Sequence, residues 1–278
     1  MSDHQPAANR EERTANRTPA AVMGILNCTP DSFSDGGRLT TVDAAVAAGV
    51  RMVEEGAAWL DVGGESSRPG AEPVPVDEEL ARVAPVIRGL RAAGVTATIS
   101  IDTTKAAVAR AALDAGATAI NDITAGADPA MLPLAAERGC RLVLMHMQGI
   151  PRTMQRAPKY ADISGEIADF LAGRAAAAVA AGVRRELILA DPGFGFGKTV
   201  AHNLELLRAL PRLGARLDLP LVVGISRKRF LATLAGAPYP ADDRLGHALH
   251  ALVAPWCALL RVHDVAGTMA ALRAAGAA

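Results

Sequence analysis

The chain has 278 residues; 50% are hydrophobic and 21% charged, enough apolar surface for a large core and against wholesale disorder. Lys+Arg 29 balances Asp+Glu 29. That balance excludes the broad basic footprint of nucleic-acid binding, though not a local phosphate site.

Residues 1–20, MSDHQPAANREERTANRTPA, are polar, without periodicity and without the apolar segment of a secretory signal. They read as a flexible tail, and residues 21–278 as one domain. From there short apolar runs alternate with longer Ala-rich stretches of helical period. The predicted strands are Val22–Leu26, Trp59–Val62, Thr98–Ile101, Ala119–Ile120, Leu142–Met145, Leu187–Ala190, Leu221–Gly224 and Leu259–Val262. Predicted helices between them include Val42–Glu55, Asp77–Arg91, Thr104–Ala115 and Ile163–Ala181, the second opening on Asp77, Glu78 and Glu79. Eight strands alternating with helices predict a parallel α/β architecture, a (β/α)8 TIM barrel, with a doubly wound open sheet as the rival. No run approaches the roughly 18 apolar residues of a membrane span. Cys28, Cys140 and Cys257 lie far apart, which predicts neither a disulfide framework nor a thiolate zinc site. The expectation is a cytoplasmic protein with no membrane partner.

Chemistry collects at the C-terminal ends of the apolar runs, which a barrel gathers on one face. Asn27 opens NCTPDSFSDGG, a long loop carrying Phe33 and Asp35 that reads as a lid. GGESSRPG, residues 63–70, combines glycines, hydroxyls and Arg68, which either binds an anion or pairs with Glu65 or Glu72. Asp102, Asn121 and Asp191 each end an apolar run. Two carboxylates and a carboxamide at one mouth suit a flat nitrogen heterocycle, or else cap the core as a structural network.

DPGFGFGK, residues 191–198, is one residue short of a P-loop. Its Phe194 and Phe196 either meet an aromatic ligand or belong to the core. SRKR, residues 226–229, and RVH, residues 261–263, put cations after the last two strands, where barrels commonly bind phosphate. Arg261 and His263, two apart, face the same way. His146 either orients a neighbour or caps the fifth strand. Nothing points to covalent catalysis.

The blocks MGILNCTPDSFSDGG, GGESSRPGAEPV, SIDTTK, INDI, MHMQGIPRTMQ, DPGFGFGKT, SRKRF and RVHDV, in this order over about residues 21–275, resemble the dihydropteroate synthases of bacterial folate synthesis. The resemblance implies a homodimeric barrel condensing 6-hydroxymethyl-7,8-dihydropterin diphosphate with 4-aminobenzoate, with Mg²⁺ assisting and sulfonamides competing. It places Asp102, Asn121, Asp191 and Lys228 at the pterin, and Ser67, Arg68, Arg261 and His263 at the diphosphate. It places Phe33, Pro69, Phe196 and Ser226 around 4-aminobenzoate, Asn27 on the metal, and Asp35 in the loop that orders the closed site. Asp102, Asp35, Lys228, Arg261 and His263 are the expected catalytic set.

Three departures stand out. Position 229 is Arg where many members have Ser, so it either pairs with the aminobenzoate carboxylate or faces solvent. Pro255 shortens the seventh helical segment. The last helix has about ten residues after Asp264. A catalytically silent pterin-binding paralogue is the alternative. A pterin-dependent methyltransferase domain has less use for the Arg68 loop and the RVH pair.

Overall fold

The structure, a computed structural model, describes residues 19–29, 41–68, 70–239 and 243–277. The predicted tail up to residue 18, the lid residues Phe33 and Asp35, and Pro69 lie outside the described residues.

Among the described residues there are eight strands: β1 Ala21–Asn27, β2 Trp59–Gly63, β3 Thr98–Asp102, β4 Ala119–Asp122, β5 Arg141–Met145, β6 Ile188–Asp191, β7 Val222–Val223 and β8 Leu259–Val262. All pairs are parallel, in the order β6-β5-β4-β3-β2-β1-β8-β7. The sheet closes where Ala190 bridges Leu221 and donates its N–H to the Pro220 carbonyl at 2.9 Å. Sequential neighbours plus closure make a (β/α)8 barrel and exclude the open sheet.

The helices are α1 Thr41–Glu54, α2 Val76–Ala92, α3 Ala106–Asp114, α4 Met131–Arg138, α5 Ile163–Ala180, α6 Val200–Leu217, α7 Arg229–Ala235, α8 Arg244–Val253 and α9 Val265–Ala274. Each of α5 and α9 is capped by an Asp, Asp162 on the Gly165 N–H and Asp264 on the Gly267 N–H. At α2 the expectation shifts: Pro75 is the cap position, and Asp77, Glu78 and Glu79 fill the first turn. Pro255 does end α8, and the chain continues as a 3₁₀ turn, Ala254–Trp256.

The period of two along each strand sorts the side chains. Val22, Leu26, Leu60, Val62, Ile99, Ile101, Ile120, Leu142 and Leu260 face outward into the layer under the helices. Met23, Val143, Leu189, Val222 and Leu259 face inward and fill the N-terminal end of the barrel. Each such burial contributes roughly 1.5–3 kcal/mol. The inward positions nearer the C-terminal end are polar, and there the site begins. β4 is longer than predicted because Asn121 and Asp122 continue the ladder, their polar groups being bonded within the protein.

Candidate active site

Strand register sets the level of each group. Asn27 lies beside Gly63, Gly63 beside Asp102, and Asp102 beside Asn121, so three strand-end candidates share one tier. Asp191 lies beside Met145 at the end of β6.

Two residues below Gly63, and therefore on the same face, is Asp61, 1% exposed. Its carboxylate collects three donors: the Ser100 hydroxyl, Asn121 Nδ2 at 2.9 Å and Arg261 Nε at 2.6 Å. Arg261 spends its other arm on Asp102, Nη2 to Oδ2 at 2.6 Å. One guanidinium from β8 is thus held between carboxylates from β2 and β3. A carboxylate only accepts, so Asn121 must turn its NH₂ toward Asp61 and leave its carbonyl oxygen for a ligand. Sequence reasoning missed Asp61 and Ser100. Their signal was the period of two within otherwise apolar strands: Trp59, Asp61, Gly63 and Thr98, Ser100, Asp102.

Above this network a cavity of about 310 Å³, including space open to solvent, is lined by Ser67, Asn121, Asp191, Lys228 and Arg261, with Ile123, Met145, Gly193, Phe194, Phe196 and Gly224 as walls. Asp102 reaches it through Arg261. Phe194 is fully buried in the main core, whereas Phe196 joins Ile123, Met145 and Met154. The Lys228 ammonium sits 4.1 Å from the centre of the Phe196 ring, a cation–π contact.

The charges perturb one another. Burial pushes Asp102 up to about 7 against the pull of Arg261, with Asp61, Glu79 and Asp122 adding to the rise. Burial also raises Asp191, opposed by the Gly193 N–H at 2.7 Å and by Lys228, Arg261 and Lys198. Lys228 is lowered to about 8 by burial and Arg261, with Asp191 and Asp102 opposing. The site therefore gathers carboxylates raised and a lysine lowered by burial, the pattern of a functional site.

Among the described residues His263 has no ion-pair partner. Its Nδ1 lies 3.0 Å from Ser226 Oγ, which also accepts the His263 backbone N–H at 3.2 Å. Burial, then Arg261, Arg227 and Lys228, hold the imidazole down to about 3, so it is neutral. With the Ser226 hydroxyl donating to Nδ1, Nε2 carries the proton and serves as a donor. Arg227, at φ 52°, is clamped to Asp243, Nη2 to Oδ2 at 2.7 Å. Arg229 is exposed, its guanidinium 5.5 Å from the Tyr239 ring centre.

The DPGFGFGK loop is built around Lys198, a residue to which sequence reasoning gave no role. Its buried ammonium donates to the carbonyls of Gly193 at 2.8 Å and Phe196 at 3.0 Å, and lies 3.1 Å from His146 Nδ1. His146 therefore orients a neighbour, and it also continues the fifth strand through its N–H to the Asp191 carbonyl at 2.9 Å. Gly193 has φ 70°, and a Cβ there would stand 1.9 Å from the His146 carbonyl oxygen, so no other residue fits.

Arg68 is exposed; Glu65 is taken by Lys105, and Glu72 lies 3.9 Å from Arg152, so neither is its partner. Asn27 is half-buried at the end of β1. Among the described residues no three His, Cys, Asp or Glu side chains gather to hold a metal ion.

The model of the family described as "Pterin binding enzyme" matches residues 23–263. The dihydropteroate synthase of Mycobacterium leprae is 49% identical over 272 residues, covering 93% of each chain. The Xanthomonas albilineans dihydropteroate synthase solved with 4-aminobenzoic acid superposes with a TM-score of 0.87 at 50% identity, covering 93% of each chain. The same organism's enzyme in complex with 7,8-dihydropteroate gives a TM-score of 0.83 at 47% identity, again covering 93% of each chain.

Proposed function

The chain belongs to the dihydropteroate synthase family of pterin-binding enzymes, and on that premise we propose that it condenses 6-hydroxymethyl-7,8-dihydropterin diphosphate with 4-aminobenzoate, releasing diphosphate. The observation that carries this is the cavity in which Asn121, Asp191, Lys228 and Arg261 converge beside Phe196.

The heterocycle offers N–H donors to the Asp191 carboxylate and the Asn121 carbonyl, and Lys228 donates to its acceptors. As diphosphate departs from the pterin methylene, positive charge spreads into the ring. Asp191, and Asp102 behind Arg261, favour that charge, while Arg261, Arg68, the Ser67 hydroxyl and the neutral His263 Nε2–H meet the leaving oxygens. The 4-aminobenzoate amine attacks the methylene and releases its extra proton to the departed diphosphate, with Phe196 as an apolar wall and Ser226 holding His263 in its donor tautomer. No protein nucleophile is needed. Phe33, Asp35 and Pro69 are assigned to the closed aminobenzoate side on the family resemblance alone.

Mg²⁺ is part of the proposal. Asn27 would supply one neutral oxygen ligand, a magnesium ion being usually held by one or two carboxylates together with substrate phosphates and water. Asn27 fits one neutral oxygen position of such a shell, and with the substrate phosphates as the charged ligands the ion would neutralise diphosphate charge. A homodimer is supported by the exposed apolar side chains Leu234, Tyr239 and Leu252 on and beside α7 and α8. A cytoplasmic setting is supported by the buried free thiols Cys28 and Cys140; no helix among the described residues is long and apolar enough to cross a membrane.

The test is a condensation assay with both substrates and Mg²⁺, following dihydropteroate and diphosphate together. Stoichiometric appearance of both, lost in Asp191→Ala and Arg261→Ala and inhibited by a sulfonamide competing with 4-aminobenzoate, is expected. Pterin binding without product would instead make the chain the silent paralogue.

A further inference from the structure

We propose that Lys105 is a positioning residue that locks the loop between β2 and α2, so that Ser67 and Arg68 stand ready for the diphosphate; the inference rests on the condensation reading above.

Lys105 lies just past the end of β3, on a turn that is itself pinned. Its N–H donates to Thr103 Oγ1 at 3.2 Å, the Thr103 N–H donates to the Asn121 carbonyl at 3.1 Å, and the Ala106 N–H donates to Asp128 Oδ2 at 2.9 Å. From this fixed base the ammonium reaches two carboxylates. One is Glu65, in the loop; the other is Glu79, in the first turn of α2, at 2.5 Å. Glu65 also accepts the Val74 N–H at 3.2 Å. A single carboxylate thus ties the start of the loop to its return, with Ser67 and Arg68 on the stretch between.

The neighbouring contacts serve the same end. Arg82 Nη1 donates to the Gly64 carbonyl at 2.7 Å. A Cβ at Gly64 would stand 2.8 Å from Val83 Cγ1 and 3.0 Å from Glu79 Cγ, so the loop leaves β2 pressed onto α2. Burial alone would lower Lys105, but its bonds to Glu65 and Glu79 outweigh that and raise it, so it stays charged. Glu79 is fully buried, and its second oxygen has no partner among the described residues. A carboxylate buried with a bare oxygen is a poor stabilising device. A triad tying a loop to a strand end is a good placing one.

The heterocycle groups are held separately, Asn121 by Asp61 and the Asp191 loop by Lys198. Removing the Lys105 ammonium frees the diphosphate side and leaves the Asp61–Asn121 and Lys198 contacts of the pterin side in place. A purely structural lysine would damage both alike.

The experiment is calorimetric titration of the full chain with pterin diphosphate and, separately, with 6-hydroxymethyl pterin lacking the diphosphate. Lys105→Met is expected to weaken the diphosphate form roughly tenfold to a hundredfold, the scale of losing a charge-assisted bond, and to change the alcohol less than about twofold on the same scale. Lys105→Arg should recover most of the loss. Lys105→Met leaves Glu79 uncompensated, so Glu65→Ala, which removes the loop's acceptor while the Lys105–Glu79 pair remains, is the second variant and should show the same selective loss. Equal losses for both ligands, or none, overturn the role of Lys105. If the wild-type chain itself fails to prefer the diphosphate form, the condensation reading falls and this inference with it.

Discussion

Asp61→Asn exchanges an oxygen for an NH₂ at the point where three donors meet. The amide oxygen can serve two of them at best, and the new NH₂ must then face a donor. Arg261 keeps Asp102 at 2.6 Å, so its charge is not left bare. Removing one partner of a buried ion pair costs about 3–5 kcal/mol. With half the compensation retained, the lower end, about 3 kcal/mol, is expected. At roughly 2–4 °C per kcal/mol for a chain of this size, Tm falls by about 6–12 °C. The site suffers separately. Without an obligate acceptor behind it, Asn121 is free to flip and offer its NH₂ where the pterin also donates. A neutral hydrogen bond lost with a donor left facing a donor costs about 1–3 kcal/mol, a pterin affinity weaker by roughly fivefold to a hundredfold. Thermal unfolding and calorimetric titration with pterin diphosphate measure both. A variant melting within about 2 °C of wild type with unchanged pterin affinity would refute the view that Asp61 sets the polarity of the cavity.

The pH profile of kcat/KM should rise as Asp102 ionises near 7 and fall as Lys228 loses its proton near 8; Asp102→Asn should remove the acid limb, and a profile flat across this range contradicts the assignment. Buried His250, with neither ring nitrogen partnered among the described residues, is held down to about 3 by burial and His247. The unfolded state therefore binds the extra proton between that value and about 6.5, and stability is lost as pH falls through the window. His250→Leu should melt above wild type, with the gap widening from pH 6.5 down to 4; a constant gap assigns the gain to packing. Gly193→Ala drives a Cβ to 1.9 Å from the His146 carbonyl oxygen and imposes φ 70° on an L-residue. It should lower stability by more than about 2 kcal/mol, beyond the cost of the left-handed conformation alone; a melt matching wild type would mean the loop relaxes freely.

The barrel was legible because each strand is an apolar run on a period that helices do not share, and because Pro255 and Asp264 mark element ends by local chemistry. Local chemistry also misleads. Asn121 and Asp122 read as the end of β4, since polar residues usually leave a buried strand. They continue it because Asn121 bonds Asp61 and Asp122 accepts from Thr124 and Gly126. At Asp77 the acidic run was visible, but Pro75 took the cap position.

The site divides the same way. Groups standing at strand ends were visible singly, because an acidic or amide residue after an apolar run is conspicuous. What joins them was not. Arg261 meets Asp61 across 200 positions and Asp102 across 159. Lys198 reaches back 52 to His146, and Lys105 reaches 40 to Glu65. Each of these bonds exists because the parallel sheet sets strands and loops distant in sequence side by side, and no short window of sequence contains both partners. The closed interior nevertheless constrains them. It admits little water, so an inward Asp must find donors among the inward residues of other strands. Inward positions at the N-terminal end are filled by Met23, Val143, Leu189, Val222 and Leu259. The inward cation of β8 is Arg261, and the inward acids of β2 and β3 are Asp61 and Asp102. Counting inward positions by twos puts Arg261 among the donors open to Asp61 and Asp102, and the pairing decides which edge Asn121 offers to a ligand.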